Sequence, residues 1–139
     1  MDNRYLYSLG GLSKHANGQP FLTETIEILD LLSPYPKWEV IDTRLPFTSC
    51  DIGCIPVGKD TILIFGGWNK NALSGVYTLR RHSTFNTHEI KGVQDNLPSP
   101  DFFLVNGIGM KTQDPRIVKL AGQSHVFRFN TETMLFERD

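Results

Sequence analysis

The stretch of this chain that comes nearest to a chemical motif is Gly53–Asp60, whose glycines and lysine follow the spacing of a phosphate-binding P-loop. Asp60 takes the place of the Ser or Thr whose hydroxyl would hold magnesium. A P-loop also opens a helix whose amides face the phosphates, and an apolar, strand-like run follows here instead. We therefore interpret Gly53–Asp60 as a β-hairpin turn. No Gly-x-Ser-x-Gly nucleophile motif occurs in the chain.

The histidines and cysteines lack the spacing of a metal site. The four histidines are scattered over different predicted strands and loops: His15, His82, His88 and His125. We interpret them as surface or structural residues and expect His125 to be exposed. Cys50 and Cys54 would lie about 13 Å apart on one strand face, too far for a disulfide. We expect both to be small, buried, reduced thiols, and we predict no metal and no cofactor.

The composition is that of an ordinary globular protein. The 139 residues are 40% hydrophobic and 21% charged, with a net charge of −1. No basic field recruits nucleic acid or an anionic membrane, and no apolar run approaches the roughly 20 residues that a membrane helix needs. Because the first residues have no signal-peptide character, we expect a cytoplasmic location.

Three similar stretches organise the chain, namely Tyr5–Gly11, Thr61–Gly67 and Ile117–Gly122. Each is an apolar run that ends in small residues, which is typical of a buried β-strand with a tight exit. The glycines expected to serve this structural role are Gly10, Gly11, Gly66, Gly67 and Gly122. The interval is 56 residues from Gly10 to Gly66 and 55 residues from Gly66 to Ala121. A repeat with a period of about 50 residues is indicated.

A strand–Gly-Gly signal with this period resembles the kelch family of β-propellers, and the resemblance covers nearly all of the chain. It implies an all-β fold of kelch-type β-propeller blades, about three four-stranded antiparallel sheets. The first blade would lack its innermost strand, because too few residues precede Tyr5 to supply one. We expect blades at about residues 1–43, 44–93 and 94–139.

The resemblance also implies a structural tryptophan near the outer strand of each blade. Trp38 matches that position, and Phe85 and Phe136 stand roughly where the later blades would carry it. Within the first blade, Leu12–Thr25 is predicted to be a long loop. A helix over Thr23–Leu32 is the alternative there, because its aliphatic residues could share one stripe. In the third blade, Phe102–Val105 is predicted as the first strand.

Three blades leave apolar surface to be covered. A repeat cannot bury its hydrophobic faces alone, and a closed propeller typically has four to eight blades. Two blade faces would therefore stay open, and open apolar faces of that size mark an interface. Either the chain is a piece of a longer propeller, which we favour, or a second copy or another partner completes the ring.

The longer loops of this chain fall after the second and fourth strands of each blade, and such loops emerge on one face. The resemblance implies that this face captures a protein partner. Exposed tryptophan and arginine anchor many interfaces, so Trp68 is the leading candidate. The predicted partner-binding residues are Lys14, His15, Arg44, Trp68, Asn69, Lys70 and Asn71.

The function expected from these features is a non-catalytic protein–protein interaction scaffold. One alternative is a substrate-recognition adaptor of a ubiquitin ligase, since kelch modules often serve as adaptors. The other is an enzyme, because copper enzymes similar to galactose oxidase resemble kelch propellers and bind metal through Tyr and His near the axis. The tyrosines here form no recognisable set with the histidines: Tyr5, Tyr7, Tyr35 and Tyr77. We interpret Arg80–His82 as a solvated turn.

Overall fold

The computed structural model describes residues 4–93, 107–122 and 126–137, apart from the side chains of residues 71 and 72, and all regular structure in these ranges is β-strand. Sheet 1 has the order β1-β2-β3, formed by Tyr5–Lys14, Pro20–Asp30 and Trp38–Val40. The helix considered over Thr23–Leu32 is therefore wrong. Thr and Ile dominate the start of that segment, and β-branched side chains fit a pleated surface better than a helix.

Sheets 2 and 3 each contain four antiparallel strands. In sheet 2, β4 (Gly53–Val57) and β5 (Thr61–Phe65) are followed by a two-stranded ribbon of β6 (Trp68–Asn69) and β7 (Asn71–Ala72), then by β8 (Val76–His82) and β9 (Thr87–Gly92). Its order is β4-β5-β8-β9. Sheet 3 has the order β10-β11-β12-β13, formed by Ile108–Lys111, Ile117–Ala121, Val126–Asn130 and Leu135–Phe136. The all-β prediction is confirmed, as is a first sheet with only three strands.

Some sequence predictions fall on residues outside the described ranges. These are the strand at Phe102–Val105, the exposure of His125 and the larger part of the connection between sheets 2 and 3. The innermost described strand of sheet 3 is β10, which begins at Ile108.

Two apolar clusters hold the three sheets together. One lies between sheets 1 and 2 and includes Ile26, Ile62, Ile64 and Leu79; the other lies between sheets 2 and 3 and includes Leu63, Phe65, Val118 and Phe129. Strand β5 contributes to both, because Ile62–Phe65 are buried whichever way they point. The prediction of a central strand buried on both faces is confirmed.

The strand register shows which residues of the three sheets are equivalent, and it corrects the alignment of the third repeat. In sheets 2 and 3 the directly opposed residues that face the preceding sheet are Ile62–Leu79–Ile90 and Val118–Phe129–Phe136. The equivalent row in sheet 1 is Leu6–Leu29–Trp38, on its exposed outer face. Equivalent residues of β1, β5 and β11 are thus 56 apart each time, so Gly122, not Ala121, is the counterpart of Gly66. The counterpart of Trp38 in sheet 2 is Ile90. Phe85 lies in the turn before β9 and is 78% exposed, so assigning it to that position was wrong.

The first hairpin is much longer than predicted. β1 and β2 pair from Tyr5–Asp30 out to Lys14–Pro20, with a shift in register between Leu9 and Gly11. Gly10 occupies this bulge with a φ of 61°, which glycine adopts without strain. Pairing resumes beyond it, so the loop predicted over Leu12–Thr25 is wrong and only a short turn caps a continuous ribbon.

The two outer faces of the three-sheet stack are exposed. On sheet 1 the exposed apolar residues are Leu6, Trp38 and Val40, and on sheet 3 they are Ile108, Met110, Val126 and Leu135. The prediction of two open apolar faces agrees with this distribution.

The cysteines differ from the prediction in their burial. Both are free, but Cys54 is exposed and Cys50 is half-buried. Cys54 lies opposite Ile64 and so shares the face of sheet 2 that points towards sheet 1. Among the described residues sheet 1 has no fourth strand to cover that part of the face, so Cys54 stays exposed.

Candidate functional site

Strands β1 and β2 and the ribbon that follows β5 all contact Ser49, which is fully buried. The Gly11 amide donates to the Ser49 carbonyl over 2.7 Å, and the Ser49 amide donates to the Thr23 carbonyl over 3.4 Å. The Ser49 hydroxyl lies 3.1 Å from the Cys50 carbonyl and 3.4 Å from the Trp68 carbonyl. The connection from sheet 1 to sheet 2 is thereby tied to the bulge in β1 and to the end of β5. Of the loops predicted to share one face, the segment that ends at Ser49 and the ribbon that begins at Trp68 meet here.

The glycine pairs that lead into this junction have matching backbones. Gly10 and Gly11 have φ values of 61° and 107°, and Gly66 and Gly67 have values of 65° and 100°. A Cβ at Gly10 would lie 2.9 Å from the Ser49 carbonyl oxygen, and one at Gly67 would lie 2.5 Å from the Ser49 Oγ. Glycine is therefore required there by both conformation and space. All four glycines have the positive φ expected of them from the sequence.

Trp68 stands on a ribbon whose backbone is fixed. Its amide and carbonyl exchange hydrogen bonds with Cys50 over 2.9 and 3.1 Å, and the Asn69 amide group donates to the Thr48 hydroxyl over 2.9 Å. The indole is 41% exposed. Lys70 follows at the turn of the ribbon, exposed and with a φ of 61°. A half-exposed aromatic side chain on a rigid support has the character of an interface anchor.

The other predicted partner-binding residues are placed apart from this ribbon. Lys14 and His15 lie at the tip of the first hairpin, where the His15 ring stacks on Phe21 with centroids 4.2 Å apart. Arg44 is exposed beside Glu24, with 3.9 Å between nitrogen and oxygen. Within the described ranges, no hydrogen bond or ion pair joins these residues to Trp68. The side chain of Asn71 is outside the description, and Gly122 directly follows β11.

Sequence reasoning missed a polar cluster between the outer parts of sheets 1 and 2. The Tyr7 hydroxyl lies 2.8 Å from Nε2 of His88, and the guanidinium of Arg81 lies over the Tyr5 ring at 4.5 Å. Arg81 also donates to the Tyr5 hydroxyl over 3.2 Å. Burial raises the pKa of Tyr7 to about 12, and burial together with the charge of Arg81 lowers the pKa of His88. Arg81 is thus half-buried between the sheets, and interpreting it as part of a solvated turn was wrong.

A cleft of about 710 Å³ opens between sheets 2 and 3 at the end away from Ser49. Its floor is apolar, formed by Leu63, Val118 and Phe129. Its rim carries threonine hydroxyls and the charged residues Arg80, Lys111 and Asp114. Arg116 binds Asp114 and holds the pKa of that carboxyl at about 2. The cleft therefore has an apolar floor and a polar rim that carries charges of both signs.

Metal and membrane features are also absent from the described part of the chain. No group of three or more His, Cys, Asp or Glu side chains is arranged to hold a metal ion there. None of the described residues forms a helix that is long and apolar enough to cross a membrane.

The three sheets define an all-β protein with blade-like sheets and a propeller-like architecture. Over 99% of its length the chain is similar to a solved structure of YjhT, with a TM-score of 0.68 and 11% sequence identity. The chain spans 48% of the length of YjhT, which is one of 21 chains of solved structures that match. A likeness at this identity is one of fold. No protein-family model and no curated protein matches the chain.

Proposed function

We propose that this chain is a non-catalytic interaction scaffold of the kelch type, which presents the surface around Trp68 to a protein partner. The observation that carries the proposal is the half-exposed indole of Trp68 on a ribbon held by hydrogen bonds. The Trp68 backbone is hydrogen-bonded to Cys50, and the Asn69 side chain is hydrogen-bonded to Thr48. Binding to such a surface costs little conformational entropy, because the anchor is already in place.

The surroundings of Trp68 have the chemistry of an interface rim. Lys70 supplies an exposed cation beside the indole, and Asp51 supplies an exposed carboxylate on the segment bonded to the ribbon. An apolar centre with polar groups of both signs around it is typical of non-obligate interfaces. We further propose a cytoplasmic location, for which the two free thiols are the main support.

Affinity capture with quantitative mass spectrometry tests this proposal. The bait variants are Trp68→Ala and, as a control, Phe85→Ala, which removes a more exposed aromatic ring from the turn before β9. We expect the wild-type chain and the control to capture one or more proteins in similar amounts. Trp68→Ala should capture about tenfold less of them, or less still, as for a hot-spot residue. The proposal is overturned if no captured protein depends on Trp68. A ligase subunit among the dependent proteins would favour the adaptor alternative.

A further inference from the structure

The outer face of sheet 1 repeats the positions that bury the faces of the other two sheets. Leu6 and Trp38 there are 50% and 46% exposed. Their counterparts in sheet 3, Val118 and Phe136, are 3% and 5% exposed because sheet 2 packs on them. Sheet 1 therefore presents the apolar surface of an inter-sheet contact without a sheet to cover it.

The outer face of sheet 3 differs at its centre from the equivalent face of sheet 2, which packs on sheet 3. The residue equivalent to Leu63 is Lys119, and the residue equivalent to Thr78 is Arg128, which pairs with Glu137 over 2.7 Å. Met110 and Val126 flank them and are exposed. This face is thus apolar at its margins with a positive charge at the position where sheet 2 carries leucine.

A negative charge replaces an aromatic residue on the outer face of sheet 1. Glu27 lies opposite Ser8, as Phe127 lies opposite Leu120 in sheet 3. In the contact between sheets 2 and 3, Leu63 and Phe127 belong to one cluster. If sheet 3 packed on a sheet 1 in the same way, those two positions would be held by Lys119 and Glu27. In the part of the chain that the structure describes, neither residue has an ion-pair partner.

We propose that two copies of the chain associate head to tail into a closed ring of six sheets. In each copy the outer face of sheet 3 covers the outer face of sheet 1 in the other copy, and Lys119 of one pairs with Glu27 of the other. Six sheets fall within the four to eight of closed propellers. A two-fold ring also leaves no open face, since both contacts are identical.

This inference concerns the sheet faces and is independent of the partner surface around Trp68, so either can fail without the other. Light scattering coupled to size-exclusion chromatography tests it on the full chain. We expect a single species at twice the 15.7 kDa of one chain, independent of concentration in the range used. Glu27→Lys and Lys119→Glu should each weaken association on the order of tenfold or more, because like charges would meet at both contacts.

Mixing the two variants gives the decisive measurement. In a mixed dimer one contact pairs Lys119 with Glu27 as in the wild type, and the other pairs the two substituted residues with opposite signs. We expect the mixture to regain the dimer that each variant alone loses. Glu39→Lys, an exposed charge reversal on the opposite face of sheet 1, is the control and should leave the mass unchanged.

Three results would overturn the proposal. A monomer in the wild-type protein would mean that the faces are not covered by a second copy. Assemblies that grow with concentration would mean that the contact does not close. A dimer that survives both single variants, with circular dichroism showing them folded, would mean that the copies meet through another surface.

Discussion

The amide of Gly11, beside the bulge in β1, donates a 2.7 Å hydrogen bond to the carbonyl of Ser49 in the segment that leads to sheet 2. The same serine contacts the backbone of Trp68 at the exit of β5 through its hydroxyl. Ser49 is buried and both of its backbone polar groups are bonded, so the junction satisfies groups that would be costly to leave unpaired. The loop face is therefore a connected structure, and the ribbon that carries Trp68 depends on it.

The space around this junction predicts a difference between two equivalent glycines. Gly67→Ala and Gly11→Ala both place a side chain at a φ near 100°, which we expect to cost about 1–2 kcal/mol. At Gly67 the new Cβ also meets the Ser49 Oγ at 2.5 Å, whereas at Gly11 nothing lies within 4 Å. Overpacking of this kind adds about 1–3 kcal/mol. In urea unfolding, the free energy of unfolding should fall further in Gly67→Ala than in Gly11→Ala. Equal losses in the two variants would contradict a tight contact with Ser49.

The register of the outer strands predicts unequal roles for two equivalent aromatic residues. Phe136→Ala removes a buried ring that packs on Phe129 with centroids 5.0 Å apart, and we expect a loss of about 3 kcal/mol. Trp38→Ala removes a half-exposed ring and should cost the folded chain much less, while weakening association between copies. Chemical unfolding with light scattering of the same samples measures both effects. A larger folding loss for Trp38→Ala would contradict the assignment of its face as open.

The His88 environment predicts a loss of stability in mild acid. Burial and the charges of Arg81 and His82 lower the pKa of His88 below its ordinary value of 6.5. The unfolded chain then binds more protons than the folded chain below about pH 6.5, so stability falls as the pH drops through the lowered pKa. Urea midpoints measured from pH 7.5 to 5 should fall less steeply in His88→Gln than in the wild type. An identical slope in the two proteins would show that His88 does not contribute.

Tyr7 predicts the opposite behaviour in alkali. Its pKa of about 12 lies above the ordinary value of 10.0, so the folded chain retains a proton that the unfolded chain loses. Stability is therefore complete below about pH 10 and declines as the pH rises towards 12. Titration of tyrosinate absorbance should show one late component, which disappears in Tyr7→Phe and persists in Tyr35→Phe, where the ring is 87% exposed. A late component that survives in Tyr7→Phe would assign the raised pKa to another tyrosine.

Local features of the sequence were enough to predict the central strands and the tight turns at their glycines. Ile62–Phe65 reads as a doubly buried strand because its apolar residues do not alternate, and the double glycines mark left-handed backbone that other residues resist. Both depend on neighbouring residues along the chain, so sequence alone determined the all-β class and the three-sheet organisation.

Only the tertiary structure decided which residues are equivalent and which faces they share. A one-residue difference in alignment, Ala121 or Gly122 against Gly66, moves every side chain of a strand to the other face. With the register known, Val118 and Leu120 face sheet 2, and Lys119 faces outwards. The Ser49 junction, the Tyr7–His88 contact and the opposed charges of Glu27 and Lys119 all depend on this choice. These features bring together residues that are far apart in the chain. Strand pairing and sheet packing set their proximity, so no local sequence pattern could predict it.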